Sequence, residues 1–150
     1  MKKNYLKFLF STLVIAMFAI ILASCCSCNN IPVNFTVEIG SGGGFTGMWS
    51  GFTLEANGQV KSWNGKMQGE NPKEYQALKN DKMRQIHGKI KSSKILDLHL
   101  QEPGNMTKYL KITLDGKQNI LLWDYSRNDS LTKNLNEVFD YILTTLETKD

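Results

Sequence analysis

GSGGGFTGMWSGF, residues 40 to 52, is either a phosphate-binding loop or a connection between strands. Gly42, Gly44 and Gly47 match G-x-G-x-x-G, the spacing that lets a backbone approach a pyrophosphate in dinucleotide-binding loops. That use needs a strand before the glycines and a helix after them. The strand is there. Val33, Phe35, Val37 and Ile39 alternate, the period of two that marks a half-buried strand. The helix is not. Met48-Trp49-Ser50-Gly51-Phe52-Thr53-Leu54 follows, and aromatic and β-branched residues favour a strand. No Gly-Lys-Ser/Thr follows either, so a P-loop is excluded. The loop therefore joins two strands.

In such a connection Gly42, Gly43 and Gly44 can take positive φ without a Cβ clash. That accounts for the glycines and leaves Phe45, Met48 and Trp49 to be explained. Two readings stand: these side chains belong to the core, or they form a contact surface on a loop, where binding groups often reside. Gly43, Gly44, Phe45, Thr46, Gly47, Met48 and Trp49 are thus the candidate partner-binding residues.

Working outward, Met48 to Ala56 reads as a second strand with Phe52, Leu54 and Ala56 on one face. Asn57-Gly58 is a hairpin signal, and a third strand runs from Gln59 to Asn64. Asn71-Pro72-Lys73-Glu74 has the pattern of a helix start. It predicts helix within residues 73–91, with a stripe of Tyr75, Leu78, Met83, Ile86 and Ile90. Gly88 interrupts the pattern, and a later start at Asn80 or Asp81 is the alternative. Ile95, Leu96 and Leu98 form a buried connector, and residues 102–105 a turn.

Residues 107 to 124 predict another hairpin around Asp115-Gly116. Leu110, Ile112 and Leu114 share a face, as do Ile120 and Leu122. A two-residue turn puts the two sets on opposite faces, whereas a three-residue loop, Leu114 to Gly116, unites them. The three-residue loop is therefore expected, with Gly116 left-handed. Asp129 or Ser130 then caps a helix carrying Leu131, Leu135, Val138, Phe139, Ile142 and Leu146 at helical spacing. The order β-β-β-α-β-β-α implies the α+β class: a mostly antiparallel sheet of about five strands with two helices packed on one face.

The first 24 residues are a different material. Lys2, Lys3 and Lys7 precede an uncharged stretch from Phe8 to Leu22, followed by Ala23 and Ser24. This is the layout of a secretory signal peptide. The stretch is short of the roughly 20 residues a spanning helix needs, although an uncleaved anchor helix is the alternative. Leu22-Ala23-Ser24-Cys25 resembles the lipobox of bacterial lipoproteins. The resemblance implies cleavage before Cys25 and lipid attachment, palmitate included, at its thiol. It divides the chain into a signal peptide (1–24), a lipidated tether (25–32) and a single globular domain (33–150). Acyl chains contribute about 0.8 kcal/mol per buried methylene, so several of them hold a domain on a membrane. Cys26, rather than aspartate, follows the lipid site. By the same resemblance this implies the outer membrane, facing the periplasm or the exterior.

Of the 18 lysines and arginines, three lie in the leader, which leaves 15 against 14 acidic residues. A nearly neutral domain is a poor nucleic-acid binder, so no nucleic-acid partner is expected. The three cysteines lie at 25, 26 and 28. Cys26 and Cys28 are too close for an unstrained disulfide, and two thiolates do not make a structural zinc site. The domain must hold together by its core.

Catalytic patterns are absent. His87 and His99, the two histidines, are not at metal-helix spacing; His87 reads as a surface or boundary residue and His99 as a cover on the buried connector, with a metal pair of the two, short of a third ligand, as the alternative. A nucleophile elbow, G-x-S-x-G, does not occur. Asp97, Glu102, Asp115 and Asp124 are scattered, and solvated turn roles account for them. Trp49, Trp63 and Trp123 read as core and rim, with a sugar-stacking platform as the alternative. No metal, cofactor or enzymatic activity is expected.

Gly43-Gly44-Phe45-Thr46-Gly47, between an extended strand and a second strand, is similar to the corresponding segment of emfourins, small protein inhibitors of thermolysin-type metalloproteases. The likeness in element order extends loosely over residues 33–147. It implies a protein partner, a metalloprotease, engaged by the Gly43–Trp49 loop. Emfourins lack the lipid anchor that Cys25 implies here. The GGGFTG turn also resembles small secreted lipoproteins of unassigned function. An envelope carbohydrate-binding module, a hydrolase and a purely structural envelope component are the alternatives.

Overall fold

Alternating apolar side chains set the centre of the sheet. A computed structural model describes residues 31–148, and residues 31–150 form a compact unit by themselves. The expected signal peptide, the lipid site Cys25 and the tether up to Asn30 lie outside the described residues. β1 (Thr36–Gly43) lies between β2 (Met48–Glu55) and β6 (Met106–Leu114), antiparallel to both. Phe35, Val37 and Ile39 are fully buried. Val33, expected to share their face, is exposed instead. It lies in a turn closed by a hydrogen bond from the Phe35 N–H to the Pro32 carbonyl (3.0 Å), before the strand begins.

The sheet is larger than expected. Its seven strands run β4 (Lys73–Ala77), β3 (Gln59–Gly65), β2, β1, β6, β7 (Lys117–Asp124) and β5 (Gln101–Glu102). Every pair is antiparallel except β5 with β7, which makes the sheet mixed. The α+β class holds, and the expectation of about five strands is corrected to seven. β5 is only two residues long and is held by the Leu122 N–H donating to the Leu100 carbonyl (2.9 Å).

β4 occupies the place of the expected helix start. Asn71 has φ +52, whereas an N-cap residue sits in the extended region. Tertiary contacts then favour the strand. Tyr75 packs its ring against Phe52 at 5.0 Å between centroids. Gln76 donates from Nε2 to the Leu146 carbonyl (2.6 Å). The helix starts late, as α1 (Asn80–Ser93), and buries Met83, Ile86, His87 and Ile90.

The β6–β7 turn also corrects the expectation. Leu114 pairs with Lys117 across a two-residue turn in which both Asp115 (φ +52) and Gly116 (φ +77) are left-handed. Two positive φ values match the twist of the flanking strands. That register turns Leu121 and Trp123 inward beside Leu110, Ile112 and Leu114, and leaves Ile120 outside, 38% exposed. The apolar look of Ile120 and Leu122 had suggested the other parity.

α2 (Ser130–Glu147) begins in a capping box. The Asp129 Oδ1 accepts from the Leu131 and Thr132 N–H groups (3.0 and 2.9 Å), and the Thr132 hydroxyl accepts from the Asp129 N–H (3.0 Å). The Arg127 guanidinium beside Asp129 holds that carboxyl down, at about 2. Leu135, Val138, Phe139, Ile142 and Leu146 join the core, while Leu131, expected in the same stripe, is exposed. Both helices bury their apolar residues in one continuous core with the inward face of the sheet.

Candidate functional site

The glycines of residues 40–51 divide into two sets with different work. Gly43, Gly44 and Gly47 make the β1–β2 turn, with φ of +98, +63 and +60. The Gly47 N–H donates to the Gly44 carbonyl (3.2 Å), and the Gly44 N–H reaches the Asn105 carbonyl (2.5 Å). Thr46 helps close the turn, its hydroxyl accepting from the Met48 N–H at 3.3 Å. Gly40, Gly42 and Gly51 lie in the strands, and their lack of Cβ makes room for indole rings. A Cβ on Gly40 would meet Trp63 Cη2 at 2.6 Å, one on Gly51 would meet Trp63 Cζ2 at 2.5 Å, and one on Gly42 would meet Trp49 Cδ2 at 2.5 Å. Such separations are inside van der Waals contact, so only glycine lets the rings lie flat on the strands.

Strand pairing fixes the arrangement. Trp63, Gly51, Gly40 and Tyr109 form one rung across β3, β2, β1 and β6. The Tyr109 ring stands edge-on to both Trp49 (6.3 Å) and Trp63 (6.4 Å). Its hydroxyl donates to Glu38 Oε2 (3.2 Å), and Lys111 Nζ donates to Glu38 Oε1 (2.7 Å). Burial first, then the charge and hydrogen bond of Glu38, push the Tyr109 hydroxyl well above its ordinary pKa. Trp63 Nε1 is buried without a partner. These aromatics hold the hairpin stem on the side of the sheet away from the helices.

The tip beyond that stem is exposed. Phe45 has no burial at all, and Met48 is 46% exposed. Strand pairing adds one neighbour, and a backbone hydrogen bond a second. Met106 pairs with Gly43 and is 42% exposed; the Tyr125 N–H donates to the Met106 carbonyl (2.8 Å), and Tyr125 is also exposed. Lys108 supports this end from inside. Its buried ammonium donates to Asn136 Oδ1 (3.1 Å) and Asp140 Oδ1 (3.2 Å) and lies 5.2 Å from the Tyr125 ring centroid. Asn136 Oδ1 also accepts from Trp123 Nε1 (2.9 Å), which ties α2 to β7.

The expected loop therefore splits by role. Phe45 and Met48 are available for contact. Trp49 is half-buried and packs on Gly42. Gly43, Gly44, Thr46 and Gly47 shape the turn. Nothing local in the sequence links Met106 or Tyr125 to residue 45; the β1–β6 register brings Met106 to this end, and the Tyr125 N–H bond to the Met106 carbonyl brings Tyr125.

Other candidates land elsewhere. His87, expected at the surface, is buried; burial first, and then Lys91, depress its pKa. Its ring stands edge-on to Phe35 at 5.5 Å, and its Nε2 has no partner. Its place on α1 facing β1 explains the correction. His99 is exposed. Trp123 sits in the core on the helix side, so the three tryptophans do not share a platform. Asp124 caps the turn that follows β7, accepting from the Ser126 N–H (2.8 Å). Among the described residues, no group of three or more His, Cys, Asp or Glu is placed to hold a metal ion, and no helix is long and apolar enough to cross a membrane. A cleft of about 350 Å³ opens beside α2, lined by Ser41, Ser50, Ser62, Asn64, Lys73 and Glu147 among others. No protein-family model and no curated protein matches this sequence.

Proposed function

We propose that this chain is a membrane-anchored lipoprotein, lipidated at Cys25, whose domain binds a protein partner through the β1–β2 tip and catalyses no reaction. The observation that carries the binding reading is Phe45: a large aromatic side chain fully exposed on a turn whose stem is braced by edge-on aromatics. An apolar group kept in water at the end of a rigid support suits insertion into a partner's pocket. Met48 and Met106 beside it suit an adaptable apolar contact.

The direction of β1 supports the combination. The chain enters the domain at the Thr36 end, and the tip lies at the Gly43 end. Eight strand residues separate the two ends, about 25 Å at the usual rise. The outer membrane is the location proposed, from the residue after Cys25.

The specific form of the proposal is an emfourin-like inhibitor of a thermolysin-type metalloprotease. Titrating a soluble fragment, residues 31–150, into a thermolysin-type protease assay tests it. Inhibition at micromolar fragment, lost in Phe45→Ala, is the expected result; no inhibition defeats the specific form. The broader form is tested by capture from an envelope extract. A protein retained by the wild-type fragment and not by Phe45→Ala is expected, and equal capture by both defeats the role of the tip.

A further inference from the structure

Met48 and Met106 stand on one rung of the sheet, each paired with Gly43 of β1 and on the same face. Gly43 has no side chain between them, and the Asn105 carbonyl fills the place a Cβ there would take, 2.6 Å from it. Met106 Sδ lies 2.9 Å from where a Cβ on Gly44 would sit, so it rests directly against the turn. Both side chains are open to solvent, whereas Met83 is 1% exposed inside the core. The fourth methionine of the domain, Met67, is also exposed, but it lies in the β3–β4 connection. No cysteine occurs beyond position 28, so no thiol in the domain competes for oxidant.

We propose that Met48 and Met106 form a reversible oxidation site that switches off the apolar contact of the tip. This rests on the reading of the tip as a partner-binding surface. The oxidant is of the peroxide class. A thioether sulfur lone pair attacks one peroxide oxygen; the S–O bond forms as the O–O bond breaks. The sulfur loses two electrons, and the departing hydroxide takes the proton from the newly sulfur-bound oxygen and leaves as water. Each methionine becomes a sulfoxide; a methionine sulfoxide reductase returns it to the thioether with a dithiol as the two-electron reductant, which ends as a disulfide while the oxygen leaves as water. The sulfoxide is polar, and a partner that buries it must strip its water. Phe45 is inert to this chemistry, so the two methionines are the sensitive part of the surface. Met83 is sealed, so the core keeps its packing while the tip changes.

The test uses the soluble fragment 31–150 and hydrogen peroxide, with phenyl-agarose as the probe of tip apolarity. Peptide mapping by mass spectrometry should find Met48 and Met106 oxidised at least about tenfold faster than Met83. Retention on the phenyl resin should fall on oxidation and return after treatment with methionine sulfoxide reductases, with the far-ultraviolet circular dichroism unchanged throughout. Met48→Leu/Met106→Leu should keep its retention and ignore peroxide, while Met67→Leu should respond as wild type does. Unchanged retention of the oxidised wild type, a drop carried wholly by Met67, or loss of the folded spectrum would each overturn the inference. Phe45→Ala separates the two levels. If its retention equals that of wild type, the reading of the tip falls and the switch with it. If it is retained less and oxidation has no effect, the switch alone falls.

Discussion

The two long hairpins of this sheet end in opposite ways. The β6–β7 hairpin closes in two residues, Asp115 and Gly116, both exposed and polar or without a side chain. The β1–β2 hairpin closes through Gly44 to Gly47 and holds a fully exposed phenylalanine there. Because β1 and β6 are antiparallel neighbours, the two turns sit at opposite ends of the sheet. The first turn carries what connecting two strands demands and little more. The second carries an aromatic side chain that connecting strands does not require, over a stem that needs three glycines to seat two indoles. Apolar exposure beyond what the backbone needs is what singles out the β1–β2 turn for the contact role proposed above.

The contrast breaks most readily in the stem. Gly51→Val would drive a side chain into the Ile39 carbonyl and the Trp63 ring. Urea unfolding should show a loss of about 3 kcal/mol, and a neutral result would mean that the glycine seats are dispensable. In the plain turn, Gly116→Ala meets no neighbouring atom and costs only the strain of its positive φ, about 1 kcal/mol in the same measurement. A smaller effect should come from His87 on α1, which faces Phe35 and feels Asp115 of the plain turn. Its folded pKa is depressed, so the unfolded chain takes up the proton more readily. The stability gained by keeping it neutral is present above about pH 6.5 and is lost as pH falls from there through the folded value. Denaturation curves of wild type and His87→Leu should diverge below pH 6.5 and run parallel above it; parallel curves throughout would contradict the buried, neutral ring. The smallest effect belongs to the tip. Phe45→Ala should change stability by less than about 0.5 kcal/mol while abolishing partner capture, and a larger loss would make Phe45 a packing residue after all.

Much of the fold was legible, and the failures were specific. Residues 33–39, 48–56 and 131–146 carry clear periods and correspond to β1, β2 and α2, although Val33 and Leu131, part of those periods, are exposed. The β6–β7 register was read with the wrong parity. Both Ile120 with Leu122 and Leu121 with Trp123 are apolar sets, so hydrophobicity alone does not choose between them. The geometry of Asp115-Gly116 does. Asn71-Pro72 has the composition of a helix start, yet β4 forms, because Tyr75 and Gln76 find partners on Phe52 and at the end of α2. At the tip, Phe45 and Met48 stand out in the sequence and Met106 and Tyr125 do not, since residues so far apart along the chain become neighbours only through strand pairing and the hydrogen bond of Tyr125 to Met106.

By itself, the order of residues settled that the glycine-rich segment joins two strands, because no helix-forming sequence follows it. It also settled the α+β class, because local periodicity is a property of adjacent residues. Tertiary structure alone decided which glycines bend the chain and which make room for tryptophan, because that depends on what crosses the strand from elsewhere. It decided as well that Phe45 stays in water, because whether an apolar side chain is buried depends on whether another part of the chain arrives to cover it.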